Sequence, residues 1–291
     1  MPDTIRSVVR RFPGLPTREG AGVRLRRSFS NAEVPLFDPF LLLDRFGSAN
    51  PEDYLAGFPW HPHRGIETIT YVLDGRVEHG DTLGNSGVIA SGDVQWMNSG
   101  SGIVHQEMPK RYDGTFAGFQ LWLNRPAREK MSTPAYRGLS HDEIPRVPTE
   151  RGGEVKVVAG AFGGVEGPVR GISVEPEYLD VRLAPEESLE FPVPAGRTAF
   201  AHGIDGGGTF AGDDSAPLAA GETALFGDGR AVRARAGPGG MRFLLASGRP
   251  LHEPVAWYGP IVMNTRDELA TALLELRRGD FVKERRPILE E

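Results

Sequence analysis

The chain has 291 residues, of which 39% are hydrophobic and 25% are charged, a composition typical of a globular protein with room for two domains. Its net charge of −6 gives no reason to expect direct binding to nucleic acid or to a membrane surface. The absence of cysteine excludes disulfides and thiolate metal ligands. No apolar run approaches the roughly 18 residues of a membrane span, and the N-terminal segment lacks the apolar core of a signal peptide. A cytoplasmic protein is therefore expected.

The first 60 residues predict short strands and turns. The segment 23–29 alternates between apolar and polar residues, as an edge strand does. The segment 39–46 is the most apolar early run, and we expect it to pack against the domain that follows.

Four potential metal ligands follow as two pairs with i, i+2 spacing, namely His61 with His63 and His105 with Glu107. Residues two apart in a strand point to the same face, so each pair can aim both side chains at one point. Two neighbouring strands would then present three imidazoles and one carboxylate to a common centre. This ligand set suits a divalent first-row metal and leaves positions open on a six-coordinate ion. The pattern predicts a mononuclear metal site inside a β-barrel.

The residues between the two pairs have the pattern of a barrel wall. Residues 68–73 alternate in a β-rich run that stops at Asp74-Gly75, a hairpin signal. Glycine turns at 84–87 and 91–93 separate two further short strands, 88–89 and 94–97. Short strands between glycine turns indicate an all-β domain.

The segment 119–124 alternates again, with Gln120, Trp122 and Asn124 on one face. Trp122, together with Trp96, Met97 and Phe119, is a candidate for lining a substrate pocket, although aromatic residues in a barrel more often belong to the core. From 125 to 150 the composition shifts to Pro, Arg, Lys and Glu, which predicts a connecting segment and a domain boundary within it.

The second half of the chain repeats the turn pattern of the first half. Gly65 aligns with Gly196, and Asp74-Gly75 aligns with Asp205-Gly206, without a gap. A similar offset aligns Gly92 with Gly221. The residues opposite the four ligands are then Pro192, Pro194, Ala234 and Ala236. The alignment predicts a second barrel without metal ligands.

The last predicted element is an amphipathic helix at about 265–278. Thr265 and Glu268 form a capping box, and Gly279 stands where a C′ glycine ends a helix. Leu269, Ala272, Leu273 and Leu276 form one apolar stripe along the helix. We expect this helix to pack across a barrel.

With these motifs, the chain resembles the pirin family of the cupin superfamily. The resemblance is carried by residues 37–44, by the runs at 61–68 and 101–109, and by residues 257–265. It implies an all-β fold of two tandem cupin barrels (double-stranded β-helix or jelly roll) with a C-terminal amphipathic helix. The implied domains are a metal-binding barrel at 1–135 and a degenerate barrel without ligands at 136–291.

The resemblance also implies the ligand set His61, His63, His105 and Glu107. In many cupins the carboxylate ligand comes a few residues after the first histidine pair, where Glu67 stands in this chain. In the pirin pattern it comes from the second pair, which favours Glu107. Iron(II) is the expected metal, and nickel, manganese, cobalt, copper and zinc accept the same ligands.

The pirin family includes proteins with quercetin 2,3-dioxygenase activity, so the resemblance implies an oxidoreductase that uses O2 on a flavonol-like aromatic substrate. We expect the protein to be a monomer. Glu107 would then be both a metal ligand and the base that accepts the substrate proton. Relatives are also described as regulatory proteins, in which the redox state of the metal alters binding to a transcription factor or a metabolic enzyme. A purely structural metal is a third reading, but such a site usually has every coordination position filled.

Overall fold

A computed structural model of the protein describes residues 4–211 and 217–285. Strands account for most of these residues, as predicted. In chain order the strands are β1 Val8–Pro13, β2 Leu15–Glu19, β3 Val23–Phe29, β4 Phe40–Ser48, β5 Phe58–His63, β6 Ile66–Asp74, β7 Arg76–Asp81, β8 Ser86–Ala90, β9 Val94–Asn98, β10 Ile103–Pro109, β11 Phe116–Asn124, β12 Ala135–Leu139, β13 Arg146–Pro148, β14 Glu154–Ala159, β15 Ala161–Phe162, β16 Val165–Glu166, β17 Glu177–Leu183, β18 Ser188–Pro192, β19 Thr198–Phe210, β20 Leu218–Ala219, β21 Glu222–Phe226, β22 Ala231–Gly248, β23 Ala256–Tyr258 and β24 Ile261–Met263.

The helices in the described ranges are short. Two are α-helical, α1 Val34–Phe37 and α2 Arg266–Arg278, and the rest are 3-10 turns at Asn31–Glu33, Pro51–Asp53, Ala127–Glu129 and His141–Glu143. No helix among the described residues is long and apolar enough to cross a membrane.

The chain forms two compact units that do not follow chain order. One, here the 40–141 unit, comprises residues 16–32, 40–141 and 251–291, and the other, the 142–250 unit, comprises residues 1–15, 33–39 and 142–250. The predicted division into 1–135 and 136–291 differs from this grouping at both ends of the chain, because β1 pairs with β21 and Ile261 on β24 forms a β-bridge with Arg64. The outermost residues of the predicted domains, 1–3 and 286–291, lie outside the described residues.

The 40–141 unit is a jelly-roll barrel with two antiparallel sheets. One sheet has seven strands in the order β12-β9-β6-β11-β4-β3-β2, and the other has four in the order β5-β10-β7-β8. The predicted segment 68–73 lies within β6, and the predicted edge segment 23–29 is β3, one strand in from the edge. Inward-facing apolar residues from both sheets, among them Val72, Val77 and Phe116, pack into one core cluster.

The 142–250 unit contains a nine-stranded antiparallel sheet dominated by β19 and β22. These strands have 13 and 18 residues, and the register between them shifts twice, which lets each long strand bend. Its apolar core cluster includes Phe191, Val193, Ala234 and Ala236.

The predicted internal repeat is visible in the backbone, with one shift. Gly65 and Gly196 both have φ +77°, and Gly92 and Gly221 have φ +88° and +84°, so the aligned glycines occupy equivalent left-handed turns. The register of β18 differs from the alignment, since Ala234 pairs with Leu189 rather than with Pro192.

Helix α2 begins and ends as the sequence predicts. The Thr265 side chain accepts from the Glu268 amide, the Glu268 carboxylate accepts from the Thr265 amide, and Gly279 ends the helix with φ +81°. Ala272 is buried against Ile261 and Met263. The predicted apolar stripe is correct for three of its four residues, with Leu269 and Leu273 beside Ala272, whereas Leu276 is exposed.

Candidate metal centre

Strand pairing brings the three predicted histidines together. Strands β5 and β10 are antiparallel neighbours, and His105 lies directly opposite His61. Because His63 is two residues from His61 on the same strand, its ring points to the same side. One ring nitrogen from each of the three residues lies within 4.8 Å of the others.

Backbone carbonyls orient the rings of His61 and His63. Nδ1 of His61 lies 2.9 Å from the carbonyl oxygen of Pro59, and Nδ1 of His63 lies 3.2 Å from that of Pro260. If each Nδ1 carries the proton and donates to its carbonyl, each Nε2 keeps a free lone pair. These two Nε2 atoms are 3.1 Å apart. Two lone pairs that face each other at this distance repel, and a cation bound by both removes the repulsion.

His105 is fully buried, and neither of its ring nitrogens has a hydrogen-bond partner in the described part of the chain. An unsatisfied buried polar atom costs free energy and is uncommon in native structures. A metal ion held between the three residues would bind one of the two His105 nitrogens. The donor set therefore fits a divalent transition metal.

The surroundings keep two of the rings neutral, which is the form that binds a metal. Burial lowers the pKa of His63 well below its ordinary value, and the neighbouring His61 lowers it further. Burial also lowers the pKa of His105, with added contributions from the three imidazoles around it. Protons therefore compete weakly with a metal for these nitrogens.

Glu107 points into the same barrel but lies outside the 4.8 Å histidine group. The register against β5 shifts between His105 and Glu107, which places Glu107 opposite Phe58. Its Oε1 atom accepts from the Thr70 hydroxyl at 3.0 Å and from Nε2 of Gln95 at 2.9 Å. Within the described residues no donor contacts Oε2, so this oxygen is the one available to a metal or a substrate.

Glu67, the alternative carboxylate, lies elsewhere. The chain turns at Gly65, so Glu67 sits on β6 and not on the strand of His63. Its carboxylate binds the Arg125 guanidinium and accepts from the Trp96 indole at 2.9 Å.

His79 is also nearby, with its ring centroid 5.6 Å from that of His105. Its Nε2 atom lies 3.0 Å from Oδ2 of Asp81 and its ring stacks on Tyr136 at 4.3 Å, so these contacts orient it. Burial acts to raise the pKa of Asp81, but hydrogen bonds from His79 and Asn85 outweigh it and hold that pKa below its ordinary value.

His61 and His63 open onto a cavity of about 720 Å³ within the 40–141 unit, whereas His105 is fully buried behind it. His61, His63 and Glu107 line it, together with the apolar side chains Leu25, Leu42, Phe46, Phe58, Val77, Phe116, Trp122 and Trp257. Of the four candidate pocket residues, Trp122 lines the cavity and packs edge-on against His63, with ring centroids 5.1 Å apart. Met97 and Phe119 are core residues with no exposed surface, and Trp96 binds Glu67.

Several site residues were not identified from the sequence. Thr70 and Gln95 hold Glu107, and their signal was available as polar residues at inward positions of predicted strands. Pro260 and Trp257 lie almost 200 residues after the first ligand pair, and no local pattern connects them to it.

Comparison with known proteins agrees with this geometry. A Pirin profile matches residues 22–123, and a profile of the pirin C-terminal cupin domain matches residues 178–282. A pirin-like protein of Caulobacter vibrioides is 45% identical over 278 residues, covering 95% of this chain and 99% of the relative. A Pseudomonas aeruginosa protein, provisionally named a quercetin 2,3-dioxygenase, is 41% identical over 282 residues, covering 94% of this chain and 97% of the relative.

A solved structure shows the same fold. The crystal structure of a quercetin 2,3-dioxygenase from Acinetobacter baumannii superposes with a TM-score of 0.88, at 29% identity, over 98% of this chain and 100% of that one. Two cupin domains, a facing histidine triad and relatives that cover nearly the whole sequence lead to one conclusion: the chain is a member of the pirin family.

Proposed function

We propose that this protein is a metal-dependent dioxygenase of the quercetin 2,3-dioxygenase type, with one iron(II)-type centre held by His61, His63, His105 and Glu107. The observation that carries the proposal is the large, aromatic-walled cavity onto which His61 and His63 open. A purely structural metal is usually enclosed by protein ligands on every side. Here the cavity leaves room for a flat aromatic substrate and for O2.

A bound divalent metal lowers the pKa of a hydroxyl group that coordinates it. The protein supplies the acceptor for the released proton, because Glu107 lines the cavity and no donor among the described residues contacts its Oε2 atom, while Thr70 and Gln95 hold Oε1. A carboxylate fixed in this way cannot rotate freely, so the second oxygen keeps a constant position relative to the substrate. Glu107 therefore acts as a ligand and as the base that deprotonates the flavonol hydroxyl.

The cavity walls bind and shield the substrate. Trp122 and Trp257 have ring centroids 6.0 Å apart, and both line the cavity. An aromatic ring of the substrate can therefore pack against either of these two indoles. Apolar walls exclude water, which favours reaction of the electron-rich substrate anion with O2 over side reactions. The names of the P. aeruginosa and A. baumannii relatives support this substrate class.

The test combines metal analysis with quercetin consumption under anaerobic and then aerobic conditions. We expect one metal per chain in the wild type and loss of both metal and O2-dependent turnover in His105→Ala. His141→Ala, which removes an exposed histidine outside the cluster, is the matched control and keeps both properties.

Glu107→Gln separates the two roles of the carboxylate. Because the carboxylate acts as the base, its replacement should lower turnover by about 100-fold or more. As a ligand, its loss also weakens metal retention, which the same metal analysis measures.

One metal per chain without turnover, after loading with iron, nickel or manganese, would exclude the dioxygenase and favour the regulatory alternative. A protein that retains no metal under any loading condition would contradict the proposed site itself.

A further inference from the structure

We propose that three polar side chains on the cavity wall, Arg27, Asp44 and Gln120, select substrates that carry a second hydroxyl group far from the one that faces the histidines. The substrate class is thus a polyhydroxylated flavonol rather than any 3-hydroxylated aromatic. This inference rests on the proposed function and deepens it.

The three residues belong to one row across the seven-stranded sheet. Arg27 on β3 pairs with Asp44 on β4, and Asp44 pairs with Gln120 on β11. Gln120 in turn pairs with Thr70 on β6, and Thr70 pairs with Gln95 on β9. Residues directly opposite each other in an antiparallel sheet share a face, so all five side chains, here called the polar row, point to the same side.

The rows beside the polar row are largely apolar. Leu42 and Trp122, each two residues from a member of the polar row, pair with each other on one side of it. In the other direction, Phe46 pairs with Gly118. Leu42, Trp122 and Phe46 line the cavity, so the polar row is a stripe within an otherwise apolar wall. A surface of this kind fits a flat aromatic molecule with hydroxyl groups along one edge.

Gln120 has unused hydrogen-bonding capacity at the centre of the stripe. One end of its amide contacts the Thr70 hydroxyl at 2.9 Å. Among the described residues the other end has no partner, and the side chain lines the cavity. Whichever way the amide is turned, one polar end is available to a ligand hydroxyl, which can both donate and accept.

Arg27 and Asp44 form the far end of the stripe. Nε and Nη2 of Arg27 donate to the two oxygens of Asp44 at 2.8 and 2.7 Å, and Nη1 lies 2.9 Å from Oε1 of Glu19. A guanidinium has five N–H donors, so these contacts leave donors for a ligand oxygen. All three residues line the cavity.

The spacing matches a substrate that spans the cavity. Neighbouring strands are about 4.8 Å apart, so Gln120 lies about 5 Å and Asp44 about 10 Å from Thr70 along the row. Thr70 contacts Glu107, which marks the metal end. A three-ring flavonol bound with its 3-hydroxyl at that end places hydroxyl groups of a distant ring beside Arg27 and Asp44.

The test measures anaerobic binding and aerobic kcat/KM for quercetin and for 3-hydroxyflavone, which lacks the distant hydroxyls. We expect the wild-type protein to bind quercetin about tenfold to a hundredfold more tightly. Gln120→Leu, and the double variant Arg27→Met with Asp44→Leu, which removes both charges together, should each reduce this preference at least about threefold. Gln106→Leu is the matched control, since Gln106 lies on β10 and points away from the cavity.

The binding arm separates the two proposals. If both variants keep the wild-type binding preference and melt near the wild-type temperature, the proposed selectivity of the polar row is wrong. The dioxygenase proposal is then unaffected. In another outcome, the wild type prefers quercetin and the variants lose this preference, while neither compound is turned over. This result would support the selectivity of the polar row and contradict the proposed dioxygenase activity. If the wild-type protein binds both flavonols equally, or binds neither, the proposed selectivity of the polar row is wrong.

Discussion

Lys130 is a buried lysine that connects two backbone segments of the candidate metal site. It is only 1% exposed, and its Nζ atom donates to the carbonyl oxygens of Gly65 and Val262 at 2.8 and 2.9 Å and to Oδ1 of Asn124 at 2.6 Å. Gly65 follows His63 by two residues, and Val262 follows Pro260, the partner of the His63 ring, by two residues. Lys130 therefore supports the two backbone segments that hold the His63 ring, and does not contact the ring itself through any of these hydrogen bonds.

Replacing Lys130 with Met should lower the free energy of unfolding by about 2 kcal/mol or more, because buried oxygens lose their donor. The cost should grow with pH. Burial lowers the pKa of Lys130 to about 7 in the folded protein, against 10.5 in the unfolded chain, so between these values the unfolded state binds more protons and wild-type stability rises.

Denaturant unfolding at pH 7 and at about pH 9 measures this difference. Lys110→Met, at an exposed lysine, is the control and should change stability little at either pH. A cost for Lys130→Met that is constant or falls with rising pH would contradict the prediction.

At the scale of elements, the strands and hairpins around the ligands follow from local patterns. Alternation predicted β6, and glycine turns predicted β9. The i, i+2 spacing predicted that both ligand pairs face one side, and the capping box predicted helix α2. The pairing of β24 with the turn after His63 has no such signal, because the bridge between Arg64 and Ile261 depends on segments distant in sequence. For the same reason, the sequence did not reveal the polar row, whose members come from five separate strands.

Two equivalent turns give a matched test of that unpredicted contact. Gly65 and Gly196 both have φ +77°, but a Cβ atom at Gly65 would clash with the carbonyl oxygen of Val262, whereas no atom lies within 4 Å of one at Gly196. Gly196→Ala should therefore cost only about 1–2 kcal/mol, from the left-handed backbone alone.

Gly65→Ala should cost clearly more than Gly196→Ala and should also weaken metal retention, since the turn carries His63. Thermal unfolding and metal analysis of the two variants check this. Equal costs, with metal retained in both, would show that the β24 contact does not support the site.

At the scale of the whole molecule, the two barrels share turns but differ in what fills them. The interior of the 142–250 unit is packed with apolar side chains, whereas the 40–141 unit keeps a cavity and places its histidines at one end. The sequence predicted metal ligands in the first barrel and apolar residues opposite them in the second, and it contained no signal for the cavity. It did not predict how the chain termini are distributed, because strand pairing between distant segments leaves no local pattern.

Metal binding should therefore stabilise the molecule unevenly. A ligand that binds only the folded state stabilises it in proportion to RT ln(1 + [L]/Kd). We expect added metal to slow amide hydrogen exchange in β5, β10 and β24. Exchange in β17 and β22, which belong to the 142–250 unit, should stay unchanged. Equal protection across both units would contradict a single site in the 40–141 unit.

The hydrogen bond between His63 and Pro260 also has a consequence for biosynthesis. The two residues are 197 positions apart, so during translation the first histidine pair leaves the ribosome long before the carbonyl that orients one of its rings. Until that later segment emerges, the His63 ring lacks the carbonyl that orients it, and the nascent chain presents only part of the candidate site. We therefore expect stable metal acquisition to be a late event, which follows synthesis of the segment around Pro260 and does not accompany the folding of the first strands.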